Sequence, residues 1–144
     1  MTRLTLVQAR TIIEAALRKA RERGYPPIAV VVLDDGGHVK AAAREDETSM
    51  FRFDVGLGKA WGAVAMGRSS RALATRAREN PNFIMALAAM SHGRVLPQQG
   101  GVLIRDAGGS IIGAVGISGA TGDQDEECAI WGIEQAGLKA DASA

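Results

Sequence analysis

Along the first third of the chain the apolar positions change period twice. Leu6, Ala9, Ile12, Ile13, Ala16, Leu17 and Ala20 recur every three or four residues, which predicts an amphipathic helix over 6–23. Thr5, with Gln8 three residues on, forms a capping box at its start. Gly24 and then Pro26-Pro27 end it. The helical period then stops. Ile28 to Leu33 is a continuous β-rich run, Asp34-Asp35-Gly36-Gly37 is turn chemistry, and His38 to Ala43 returns, so a hairpin is predicted. From Met50 to Met90 helical spacing resumes, punctuated by Gly67 and Pro81. It predicts helices over 50–66, 69–78 and 82–91, the first capped by Thr48 or Ser49. A second hairpin pairs Val102–Arg105 with Ser110–Ile117 across Asp106-Ala107-Gly108-Gly109. A last helix covers 124–136, and the tail from Leu138 is expected to fray.

The order is therefore α-β-β-α-α-α-β-β-α. Two hairpins supply at least four antiparallel strands, and the helices need a surface on which to bury their apolar stripes. The fold class expected is α+β, an antiparallel sheet packed by helices. The 144 residues fit one domain, with a core over about 4–138. "DDGGHV" and "DAGGSI" share Asp-x-Gly-Gly-x-aliphatic, which either duplication or convergent turn chemistry accounts for.

Charge and composition remove several classes. Seventeen basic and sixteen acidic side chains leave +1, so nothing favours nucleic acid or an anionic membrane as partner. Arg68, Arg71, Arg76 and Arg78 read as a solvated helical face. A single cysteine, Cys128, excludes an intrachain disulfide or a thiolate metal cluster, and no His-x-x-x-His spacing suggests zinc. No segment has the ~18 apolar residues of a membrane span and no leader pattern is evident, so a cytoplasmic protein is expected. Glycine is the outlier: 18 residues, where ~7% usage would give about ten. Gly56, Gly58, Ala60, Gly62, Ala63 and Ala65 crowd one helix, as when another backbone or a ligand must come close. Trp61 and Trp131 are expected in the core or at a subunit interface.

The chemistry concentrates in "GAVGISGATGDQDEECA", residues 113–129, where a strand breaks into a glycine loop and four carboxylates follow. Asp123 with Glu126 reads as a capping box, and acids in a first turn offset the helix dipole. Alternatively, free amides of the Ser118–Gly122 loop hold a carboxylate or carbonyl oxygen. The acids argue against phosphate, and neither a Walker nor a dinucleotide pattern is present. In that pocket Asp125 or Glu126 would do acid–base work.

Several stretches together resemble the GlcG/HbpS family, also met as the C-terminal domain of PduO-type proteins. They are the Leu-Thr-Leu start of the first helix, "VVLDDGGHVKAAAREDETS", "FDVGLGKAWGAVAMGRSS" and "QGGVLIRDAGGSIIGAVGISGATGDQDEECA". The resemblance spans about residues 4–137. It implies a profilin-like fold, a homo-oligomer and, in some members, haem or another tetrapyrrole. Within the motif, Asp54 and Lys59 are the acid and base of "D…GKA", either a surface ion pair or an anion-holding or basic site. Arg44 and Asp46 are placed to face the same pocket. Ligand-binding candidates are thus Arg44, Asp54, Lys59, Gly101, Ser118 and Gly119, with Lys59, Asp125 and Glu126 as catalytic candidates. Axial candidates for haem are His38 and His92, then Met90 and Cys128. Three functions stay open: an oligomeric binder of haem or a related small molecule, an enzyme on a carboxylate- or carbonyl-bearing substrate, and a ligand-free structural or regulatory subunit.

Overall fold

The computed structural model describes residues 2–144. Helix α1 spans Leu6–Arg23, strands β1 and β2 span Ala29–Asp34 and Val39–Arg44, and helices α2, α3 and α4 span Phe51–Met66, Ser70–Glu79 and Pro81–Met90. Strands β3 (Gly101–Arg105) and β4 (Ile111–Ser118), helix α5 (Gly122–Gln135) and strand β5 (Lys139–Asp141) follow. The order matches that expected, with one strand added. The tail does not fray: Lys139–Asp141 pair antiparallel with β3, and Arg105 clasps Asp141 at 2.9 Å. Three residues are too few for any periodicity to announce such a strand.

The sheet is antiparallel throughout, in the order β2-β1-β4-β3-β5. Both faces of its centre are covered, which is why β1 and β3 read as continuous apolar runs. Val30, Val32, Val102 and Ile104 point to one face, where α1 and α5 bring Ile12, Ala16, Cys128 and Ile133. Val31, Leu33, Leu103 and Ala114 point to the other, against Ala60 and Ala63 of α2. Each hairpin turn is tied by its first aspartate. Asp34 Oδ1 accepts from the His38 amide at 3.0 Å, and Asp106 Oδ1 from the Ser110 amide at 2.9 Å.

The small-residue stripe of α2 has a structural cause. A Cβ on Gly56 would stand 3.0 Å from the Gly116 carbonyl oxygen, and one on Gly116 would collide with the Gly56 carbonyl. Helix and strand backbones touch there. The N-terminus of α2 differs from expectation: neither Thr48 nor Ser49 caps it, and Met50 stands at the cap without a side-chain bond. Thr48 Oγ1 instead donates to the Ile28 carbonyl at 3.3 Å.

Gly116→Ala is expected to lower the urea midpoint without changing the m-value, by about 1–3 kcal/mol of overpacking. Gly108→Ala, whose Cβ would find only a 3.5 Å contact with Asp106, serves as the tolerated control.

Candidate functional site

The β4–α5 corner begins with the cap of α5. The helix opens at Gly122, with Thr121 and Gln124 forming its capping box, so the expected pairing of Asp123 with Glu126 is not the cap. This register moves Asp125 into the second half of the first turn and turns it inward. Its Oδ1 accepts from the Ala120 amide at 3.1 Å, and its Oδ2 lies 3.1 Å from Lys59 Nζ. The Thr121 amide donates to Gln124. Two amides of the glycine loop are therefore taken by the helix's own side chains rather than left for an anion.

Lys59 reaches the corner from α2. Its side chain is 6% exposed and that of Asp125 is 2% exposed, so this is a buried ion pair and not a surface pair with Asp54. Lys59 Nζ also donates to the Ile117 carbonyl at 2.8 Å. Burial pulls the Lys59 ammonium below its usual range, against the opposing charge of Asp125. Burial likewise pushes the Asp125 carboxyl up, against the charge of Lys59. Both shifts favour the neutral form of each group.

A cavity of about 210 Å³ opens beside the pair, lined by Arg52, Val55, Lys59, Gln99, Ser118 and Asp125 among others. Arg52 Nη1 donates to Ser118 Oγ at 3.3 Å. Arg52, Val55 and Lys59 stand at i, i+3 and i+7 and so share one face of α2. That spacing was the available signal for Arg52, which the sequence reading did not single out. Charge is simple to count here. With Lys59 and Asp125 either both charged or both neutral, Arg52 leaves the cavity at +1.

The other predicted residues are dispersed. Arg44 is exposed and donates to the Thr48 carbonyl at 2.5 Å, and Asp54 is exposed, so neither lines the cavity. Asp46 is also exposed. Gly101 is buried behind Lys59, donating its amide to Ser70 Oγ at 2.6 Å. Gly119, at φ 136°, packs on Pro27, where a Cβ would meet the Pro27 carbonyl. Glu126 faces α3, gripped by Arg71 through two nitrogens at 2.8 and 3.1 Å. This bond raises the Arg71 pKa further, and Arg71 is not part of a merely solvated face. His38 is exposed on the first hairpin turn, 3.4 Å from Asp34. His92 is exposed at φ 58° just beyond α4. Cys128 is fully buried in the α1–α5 layer, where burial pushes its thiol up to about 12.

A helix-flanked, profilin-like α+β domain with a buried lysine–aspartate pair at one sheet end is the class these features define. The chain belongs to the HbpS-like family, whose model, described as haem degrading protein HbpS-like, matches residues 4–134. It is 30% identical over 122 residues to an uncharacterized 15.0 kDa protein of the dhaT-dhaS intergenic region of Citrobacter freundii, covering 85% of this chain and 84% of that one. The crystal structure of HbpS is 27% identical, with a TM-score of 0.79, over 93% of this chain and 90% of that one. A PduOC:heme complex shares the fold at a TM-score of 0.86 and 24% identity, over 97% of this chain and 99% of that one. The GlcG/HbpS resemblance and the profilin-like expectation both hold. Among the described residues, no helix is long and apolar enough to cross a membrane.

Removing one partner of the buried pair is expected to cost about 3–5 kcal/mol, because the other charge is left uncompensated. Lys59→Met and Asp125→Leu should each lower the urea midpoint, and the double variant should recover most of the loss. For Cys128, only on the order of one thiol in ten thousand is ionised at pH 8. Alkylation by iodoacetamide should therefore be negligible in native protein and rapid in urea.

Proposed function

We propose that this HbpS-like protein binds a small, singly negative organic molecule in the cavity between α2 and the β4–α5 corner. The net charge of +1 carried by Arg52 beside the buried Lys59–Asp125 pair is the observation that supports it. A guanidinium matches a carboxylate in shape and charge, while Ser118 and Lys59 offer polar contacts for a carbonyl or hydroxyl. As an enzyme, the same site would use Lys59 and Asp125 for proton transfer. Glu126 has no part in it, being held by Arg71.

A second reading, a tetrapyrrole, rests on a different surface. The polar cavity does not fit haem. Its volume is below the roughly 300–1,000 Å³ of pockets that enclose drug-sized ligands, and its lining is charged. The groove between α2 and α4 is apolar, lined by Trp61, Ala65, Leu87, Met90 and Val95, with Arg94 stacked on Trp61 at 4.3 Å. It is about 220 Å³ and open, so it covers one face of a macrocycle at most. Met90, which lines the groove, would hold the iron there, Arg94 would meet a carboxylate, and a second subunit would cover the other face. When bound, haem would supply redox and ligand-exchange chemistry. The PduOC:heme complex favours keeping this reading.

One pair of titrations separates the two. Calorimetry with acetate and lactate is expected to saturate, and Arg52→Gln to weaken it by roughly tenfold or more, about 1.4 kcal/mol. Haemin is followed in the Soret region with albumin as control. A saturable shift at one haem per chain or chain pair, weakened by Met90→Ala and untouched by Arg52→Gln, would support the groove instead.

A further inference from the structure

We propose that Lys59 is a carbonyl-reactive amine, and that the cavity takes a small oxo acid whose carbonyl carbon joins Lys59 Nζ as an imine. The inference rests on the cavity being the ligand site and goes further in naming the ligand class and the bond.

Three observations carry it. Lys59 is 95% removed from solvent yet lines the cavity, and two acceptors, the Ile117 carbonyl and Asp125 Oδ2, hold its nitrogen in place. A surface lysine has no such fixed position. Second, Asp125 lies within one hydrogen bond of that nitrogen and can take up or return its proton. Third, the third backbone segment at the amine is Gly100, at φ 127°, where any Cβ would stand 2.8 Å from Nζ. Only a residue without a side chain lets the backbone pass this close to the nitrogen, so Gly100 helps to fix the position of the amine. Arg52, on the same helix face, supplies the carboxylate partner that an aldehyde or ketone without an acid group would not use. Burial, by favouring the neutral form of both groups, lets the proton pass from Nζ to Oδ2.

The step balances without oxidant or reductant. The Nζ lone pair forms the C–N bond, the carbonyl π pair moves to oxygen, and that oxygen takes the Asp125 proton. The nitrogen then returns one proton to Asp125, which delivers it to the hydroxyl. The C–O bond breaks, water leaves, and the nitrogen lone pair closes the C=N bond. The product is a protonated imine beside the Asp125 carboxylate, so the buried pair of opposite charges is restored.

The test is reductive trapping on the intact wild-type protein, with pyruvate as probe and sodium cyanoborohydride as hydride donor, read by peptide mapping. Label is expected at Lys59 in excess over the more exposed Lys19, Lys40 and Lys139, by roughly tenfold or more. Lys59→Arg should lose it. Arg52→Gln should slow labelling by pyruvate by a similar factor while leaving acetaldehyde labelling at Lys59 within about twofold. Label spread over the exposed lysines overturns the proposal. If pyruvate perturbs amide signals of the corner saturably but leaves no label, the imine is wrong and the binding site stands. If it neither perturbs nor labels, both fall. The wild-type map decides even where a variant fails to fold.

Discussion

The backbone of α2 lies directly on that of β4, because Gly56 and Gly116 put no side chain between them. Much of the molecule follows from this contact. It fixes the depth at which α2 sits on its face of the sheet, and hence how far Lys59, one turn further along, reaches past the strand ends. A helix held off by ordinary side chains would leave its lysine in solvent. Here the nitrogen lands on the Ile117 carbonyl near the end of β4 and on Asp125, a residue 66 positions away in the chain. Glycine in a helix costs about 1 kcal/mol against alanine, and the reward is a buried amine in a defined place.

The corner also explains why a glycine loop precedes so many acids. A helix N-terminus with free amides attracts an outside anion. In this protein the anion is internal: the Asp125 carboxylate bonds the Ala120 amide and then presents its second oxygen to Lys59. Positive character left for a ligand comes from Arg52 rather than from the loop. The remaining acids are spent separately. Asp123 accepts from Gln99 at 2.8 Å, Glu126 binds Arg71, and Glu127 binds Arg23 and Tyr25.

Local patterns were legible, and long-range partners were not. Every helix and hairpin strand shows in the spacing of apolar residues and in the turn chemistry of Asp34 and Asp106, because these depend on neighbours within a few positions. Ser118, Lys59 and Asp125 stood out as chemistry in an unusual setting, although Lys59 was matched to Asp54, its neighbour in sequence. Nothing local tells that a lysine on α2 and an aspartate on α5 share a hydrogen bond across the end of β4. Arg71 and Arg52 were hidden for the same reason, since an arginine on a helix surface looks alike whether it meets water or a carboxylate. The strand at 139–141 depends on the free side of β3, which only the assembled sheet provides.

That last strand makes the sheet unequal at its two borders. On one side β5 covers β3 for three residues, and Ser69 Oγ donates to the Ser143 carbonyl at 2.7 Å, drawing the chain end toward the start of α3. On the other side β2 runs six residues as the border strand, with Lys40 exposed on it. Growth of the sheet by a further strand therefore has a long border at β2 and only a three-residue one at β5. Two β2 borders meeting would join two sheets into one and leave only the short β5 borders outside, so growth by that route would stop at a pair.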